Sequence, residues 1–154
     1  MTMCAYAFLR RAGGLPLAVL LSLAGPASPV LADQTSTNQP SVKLCATETS
    51  DVGTQACLHK ALDGADTALN AAYRKALSVI DTDDRGEDAK AKAAWKAQLA
   101  AAQRAWIAFR DADCGDLVLS EWSGGSGANA AGYACRYDKT VQRTNDILSR
   151  YPLH

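Results

Sequence analysis

Apolar residues return every three or four positions through much of this chain. Leu58, Leu62, Ala65, Leu69, Ala72, Ala76 and Ile80 mark one face of a helix, widened by Tyr73 and Leu77. Thr49-Ser50-Asp51 supplies an N-cap region, and Asp81-Thr82-Asp83-Asp84-Arg85-Gly86 ends the pattern, so the first helix is expected over about 51–81. A second stripe, Trp95, Leu99, Ala102, Trp106 and Phe109, predicts a helix beginning near 84–88 and running through Gly115 to about Glu121. Its many alanines are strong helix formers, small enough to let neighbouring helices approach closely. The run Ser123-Gly124-Gly125-Ser126-Gly127 closes it. A third helix follows over about 129–150, with Ala134, Tyr137, Val141, Thr144, Leu148 and Tyr151 as its expected buried face. No period-2 run suggests a strand. The fold class is therefore all-α: a small disulfide-stapled bundle of three helices with antiparallel neighbours.

The segment before this pattern has a different character. Arg10 and Arg11 precede the apolar run Leu15–Gly25, and Pro29-Val30-Leu31-Ala32 offers small residues at the positions a signal peptidase reads. The run is too short to anchor stably in a bilayer. Residues 1–32 are thus expected to be a signal peptide cleaved after Ala32, with export to the periplasm or beyond and no stable membrane anchor afterwards. Residues 33–44 read as a flexible, polar mature N-terminus, and residues 45–154 as the helical domain. Removing 32 of 154 residues leaves 122, enough for one domain with a modest core. This mature chain has 14 lysines and arginines against 16 acids, a net charge of −2. No basic stripe points to nucleic acid.

Four cysteines remain after cleavage: Cys45, Cys57, Cys114 and Cys135. In an exported chain an even number argues for two disulfides, and the spacings lack the tight pairs of a zinc site. Four cysteines allow three pairings. Antiparallel helices of these lengths bring all four to one end of the bundle. No metal or other cofactor is expected. A catalytic Ser/His/Asp or Cys/His order and a P-loop are both missing from the sequence, so an enzyme is disfavoured.

That same end carries Asp111, Asp113, Asp116 and Glu121, followed by Trp122 and the Ser123, Gly124, Gly125, Ser126 loop. Acids at a helix C-terminus oppose the macrodipole. Arg110 and Arg136 are placed to offset them. A solvated helix end is the plain reading; the functional one is an acidic knob beside a tryptophan-bearing loop, built to dock on a basic partner.

Several short motifs carry a family resemblance. Cys57, Ala65-Asp66, Leu69-Asn70 and Tyr73, then Gln103, Trp106, Phe109-Arg110-Asp111 and Cys114, then Gly125-Ser126, Cys135, Thr140 and Arg143 stand in the order seen in the lysozyme-inhibitor LprI-like family, which the chain resembles over about 45–149. The resemblance implies a secreted, disulfide-held helical domain and raises inhibition of lysozyme, a C-type muramidase, as its function. Binding would occlude the cleft of the enzyme, with the acids 111–121 setting the on-rate and residues 122–127 the affinity. The alternative is a non-catalytic envelope interaction module, or a periplasmic immunity protein with no lysozyme target. The family's namesake carries a lipid-bearing cysteine; no cysteine directly follows the apolar run here, which favours a soluble periplasmic form. Among the matched residues, Trp106 and Phe109 are expected in the core. Asn70 with Gln103, and Asp66 with Arg110, are expected to pair between the first two helices.

Overall fold

The computed structural model describes residues 39–85 and 88–152. The signal-peptide expectation over 1–32 lies outside them. A 3₁₀ turn, Pro40–Lys43, precedes α1 (Asp51–Thr82), α2 (Ala89–Ala112), a π turn (Asp113–Leu117), the single-turn α3 (Val118–Glu121) and α4 (Ala128–Arg150). Among the described residues the fold is all helical, with three long helices.

Local chemistry sets the boundaries. The Ser50 hydroxyl accepts from the Gly53 N–H at 3.1 Å and caps α1, while the Asp88 carboxylate accepts from the Ala91 N–H at 2.8 Å and caps α2. On α1 all seven residues of the expected stripe, from Leu58 to Ile80, are buried. The small members, Ala65, Ala72 and Ala76, admit the close approach of α4, the neighbour on which α1 chiefly packs. Two contacts fix how these helices lie: His59 meets Tyr133 edge-on at 5.0 Å, and Asp66 approaches Thr140 one heptad further along each helix. The two run in the same direction, and α2 returns antiparallel beside them. The core is Leu69, Ala72, Ala76, Ile80, Leu99, Ile147 and Tyr151, with Trp95 and Trp106 packed at its margin. Trp95 donates its indole N–H to the Tyr151 hydroxyl at 3.1 Å.

Two expected faces are corrected. On α2 only Leu99 is buried; Ala102 and Phe109 face solvent, Phe109 at 54% exposure. The inward line is Trp95, Leu99, Gln103, Trp106 and Arg110, whose spacing is equally helical but includes two polar residues. Those residues point inward because partners on α1 and α4 satisfy them. The alanines of α2 mostly line its outer surface and do not bring it closer to the others. On α4 the buried residues are Ala128, Gly132, Thr140 and Ile147, then Tyr151 just beyond its end, while Leu148 is exposed. Counting the apolar Tyr137, Val141 and Leu148 as the centre of the face turns the helix too far.

The polar tail also docks earlier than expected. Residues 39–44 form the 3₁₀ turn and its flanks. The Ser41 N–H and hydroxyl donate to the two Asp138 carboxylate oxygens at 2.8 and 2.6 Å.

Candidate functional site

The signature residues build a polar clamp across the three long helices. Arg110 donates from Nη1 to Asp66 Oδ1 at 2.7 Å and to Thr140 Oγ1 at 2.9 Å, and from Nε to Asp111 Oδ1 at 3.1 Å. Arg143 Nε donates to Gln103 Oε1 at 3.1 Å. The Trp106 ring lies near both guanidinium groups, 5.2 Å from Arg110 and 6.0 Å from Arg143. Among the described residues Thr140 is a fully buried polar side chain, and Arg110 donates to its hydroxyl. The expected Asp66–Arg110 pair is present. The expected Asn70–Gln103 bond is not: the carbonyl oxygen of Gln103 is taken by Arg143, and Asn70 stays exposed. Asn70, Tyr73, Asp66, Gln103 and Arg110 line a shallow groove of about 320 Å³ between α1 and α2, while Leu69 lies in the core.

The disulfides settle the pairing as Cys45–Cys57 and Cys114–Cys135. The first ties the N-terminal turn to the start of α1, and the second ties the end of α2 to the start of α4. All four cysteines gather at one end. Gly132 permits this closure, because a Cβ there would stand 3.1 Å from the Cys114 carbonyl oxygen. Asp113 lies beside the second bridge, whose sulfurs are bonded to each other and offer no thiolate to a metal.

At this end the four acids are not equivalent. Asp111 pairs with Arg110, and Asp113 with Lys139 at 2.9 Å. Asp116 and Glu121 are exposed and form no ion pair among the described residues. Arg136, expected to offset the acids, instead lies against Gly115 and Gly132. Lys139, which the sequence did not single out, also stands 5.0 Å over the Phe109 ring. Trp122 is 51% exposed; its ring lies on Gly127, where any side chain would collide with it. Ser123 and Gly124 take left-handed backbone, φ 49° and 66°, and turn the chain into α4. Exposed apolar side chains collect around this tip: Phe109, Leu117, Leu119 and Trp122, with Val42 and Leu44 on the N-terminal turn.

Charge is divided along the molecule. The half holding the cysteines, residues 39–66 and 101–139, has nine acids and six lysines or arginines; the described residues of the other half have five acids and eight. The cysteine end is thus the negative pole of the domain.

A groove of about 920 Å³ opens at that pole. Leu58, Ala131 and Ala134 contribute apolar lining, the 3₁₀ turn and Trp122 also border it, and Asp113 and Lys139 contribute charge. Nothing in the sequence pattern indicated it, because its walls come from five separate stretches of chain.

The structure therefore defines a small, doubly stapled helical domain with an acidic, partly apolar tip. Among protein-family models, that of lysozyme inhibitor LprI matches residues 45–147. The match spans about two thirds of the chain, and the chain belongs to this family. Comparison with curated proteins and with solved structures gives no match in either case. No helix among the described residues is long and apolar enough to cross a membrane.

Proposed function

We propose that the chain is an exported, non-catalytic inhibitor that binds a lysozyme and covers its cleft. The observation that carries this reading is the family match over 45–147. The charge division supports it: a negative pole orients the domain towards a basic enzyme during approach. The binding end is the tip, with Trp122 as its anchor and Ser123, Gly124, Gly125 and Ser126 reaching the cleft. Asp116 and Glu121 do most of the steering, since Arg110 and Lys139 already compensate Asp111 and Asp113. Residues 1–32 act as the signal peptide, and the mature chain works in the periplasm without an anchor.

The test is a lysis assay with oxidised 33–154 titrated into C-type lysozyme. Wild type inhibits saturably, and Trp122→Ala weakens the inhibition. The double variant D116N/E121Q lowers the association rate at low salt, and D111N/D113N lowers it less. Equal effects from the two double variants would remove the steering assignment.

A further inference from the structure

We infer that the groove between the N-terminal 3₁₀ turn, α4 and Trp122 receives an apolar side chain carried on a basic loop of the partner protein. This inference rests on the inhibitor reading above and adds a reciprocal contact: the enzyme inserts into the inhibitor beside the point where the inhibitor's tip meets the enzyme.

Four observations support it. The groove, at about 920 Å³, is of the size that holds a bound group, and its lining is more apolar than polar. Its concavity comes from small residues, Ala131 and Ala134, on the α4 wall, where larger side chains would fill it. The walls are fixed before any partner arrives. Cys45–Cys57 and the Ser41–Asp138 bonds hold the turn, and Cys114–Cys135 holds the opposite side. A preformed wall reduces the ordering cost of binding. Two of the bordering side chains, Val42 and Trp122, are about half exposed, leaving apolar surface open at the mouth.

Charge selects the occupant. The groove lies at the negative pole, with Asp113 and Asp138 against Lys139 along its lining. A basic protein meets that pole favourably. A second copy of this chain would bring two negative poles together. The chain's own preceding segment, Asp33-Gln34-Thr35-Ser36-Thr37-Asn38, has no apolar side chain to seat on Leu58 and Ala134.

The experiment uses oxidised 33–154 with alanine methyls labelled for NMR, and a basic C-type lysozyme as the probe. On addition of lysozyme the Ala131 and Ala134 methyls shift, and the Ala97 and Ala101 methyls on the exposed face of α2 do not. In parallel, Ala134→Trp fills the groove and weakens the dissociation constant by at least about tenfold, with Ala97→Trp as a control that binds like wild type. The methyl readout needs no substitution, so it decides the matter even where Ala134→Trp folds poorly. Lysozyme binding without movement of the Ala131 and Ala134 methyls overturns the groove and leaves the inhibitor reading intact. No lysozyme binding by wild type overturns both. Shifts of these methyls with protein concentration alone, or on deletion of 33–38 without lysozyme, would assign the groove to a second copy or to the chain's own tail and overturn the inference.

Discussion

Replacing Arg110 by methionine tests what holds α2 in place. Few apolar side chains of α2 are buried, so the clamp has to supply much of its attachment. Arg110 is only 11% exposed and makes three hydrogen bonds. Methionine keeps most of the volume but no donor. The loss leaves the fully buried Thr140 hydroxyl with only its long, 3.5 Å bond to Asp66, at a cost of roughly 1–3 kcal/mol. The stacking on Trp106 adds about 0.5–1 kcal/mol. Asp66 is 41% exposed and regains water, so its loss is small. Removing a largely buried guanidinium also relieves some desolvation, which offsets part of the total. The net expected loss is about 2–3 kcal/mol, or roughly 10 °C in the unfolding midpoint of a domain this size. Asp66→Asn should cost less, about 1 kcal/mol, because Arg110 keeps Thr140 and Asp111. Urea unfolding of the oxidised proteins measures both. An Arg110→Met protein within about 0.5 kcal/mol of wild type would refute the clamp as the attachment of α2.

The two disulfides should not be equal. Removing Cys114–Cys135, which closes the longer loop, should cost more than removing Cys45–Cys57, by about 0.5 kcal/mol from chain entropy alone; urea midpoints of the two Cys→Ser pairs compare them. Removing Cys45–Cys57 should also release the 3₁₀ turn, so amide exchange should rise at 41–45 and stay protected across Leu69–Ile80. At the opposite end, hydrogen bonds from the Arg85 side chain and backbone N–H hold Asp83 below the usual carboxylate range. Its small stabilising contribution is present above the unfolded value and is lost as pH falls through the lower folded one. An NMR titration should place the Asp83 midpoint below those of exposed aspartates, and Arg85→Ala should raise it.

How far the sequence revealed this molecule follows from what each element buries. The face of α1 was legible because every inward position is apolar and the spacing admits one helix. The inward face of α2 was not, since Gln103 and Arg110 look like surface residues until Arg143, Asp66 and Thr140 appear beside them. The face of α4 was hidden for another reason: Tyr137, Val141, Thr144 and Leu148 repeat at an equally helical spacing, while the buried line Gly132, Thr140 and Ile147 holds one large apolar side chain. The gathering of the cysteines at one end followed from helix lengths, whereas their pairing required the packing. Of the tip, the acids and Trp122 were visible as residue types. The neutralisation of Asp113 by Lys139, the exposure of Phe109 and the groove all depend on segments far apart in the chain.

The lysozyme-binding surface proposed for this family member is its cysteine end. The most direct test titrates oxidised 33–154 into C-type lysozyme lysing a Gram-positive cell suspension, at low and at moderate salt. Binding through this end gives saturable inhibition that weakens as salt rises and falls sharply in Trp122→Ala. Full lysis at a large molar excess of inhibitor, with both disulfides verified intact, would contradict it.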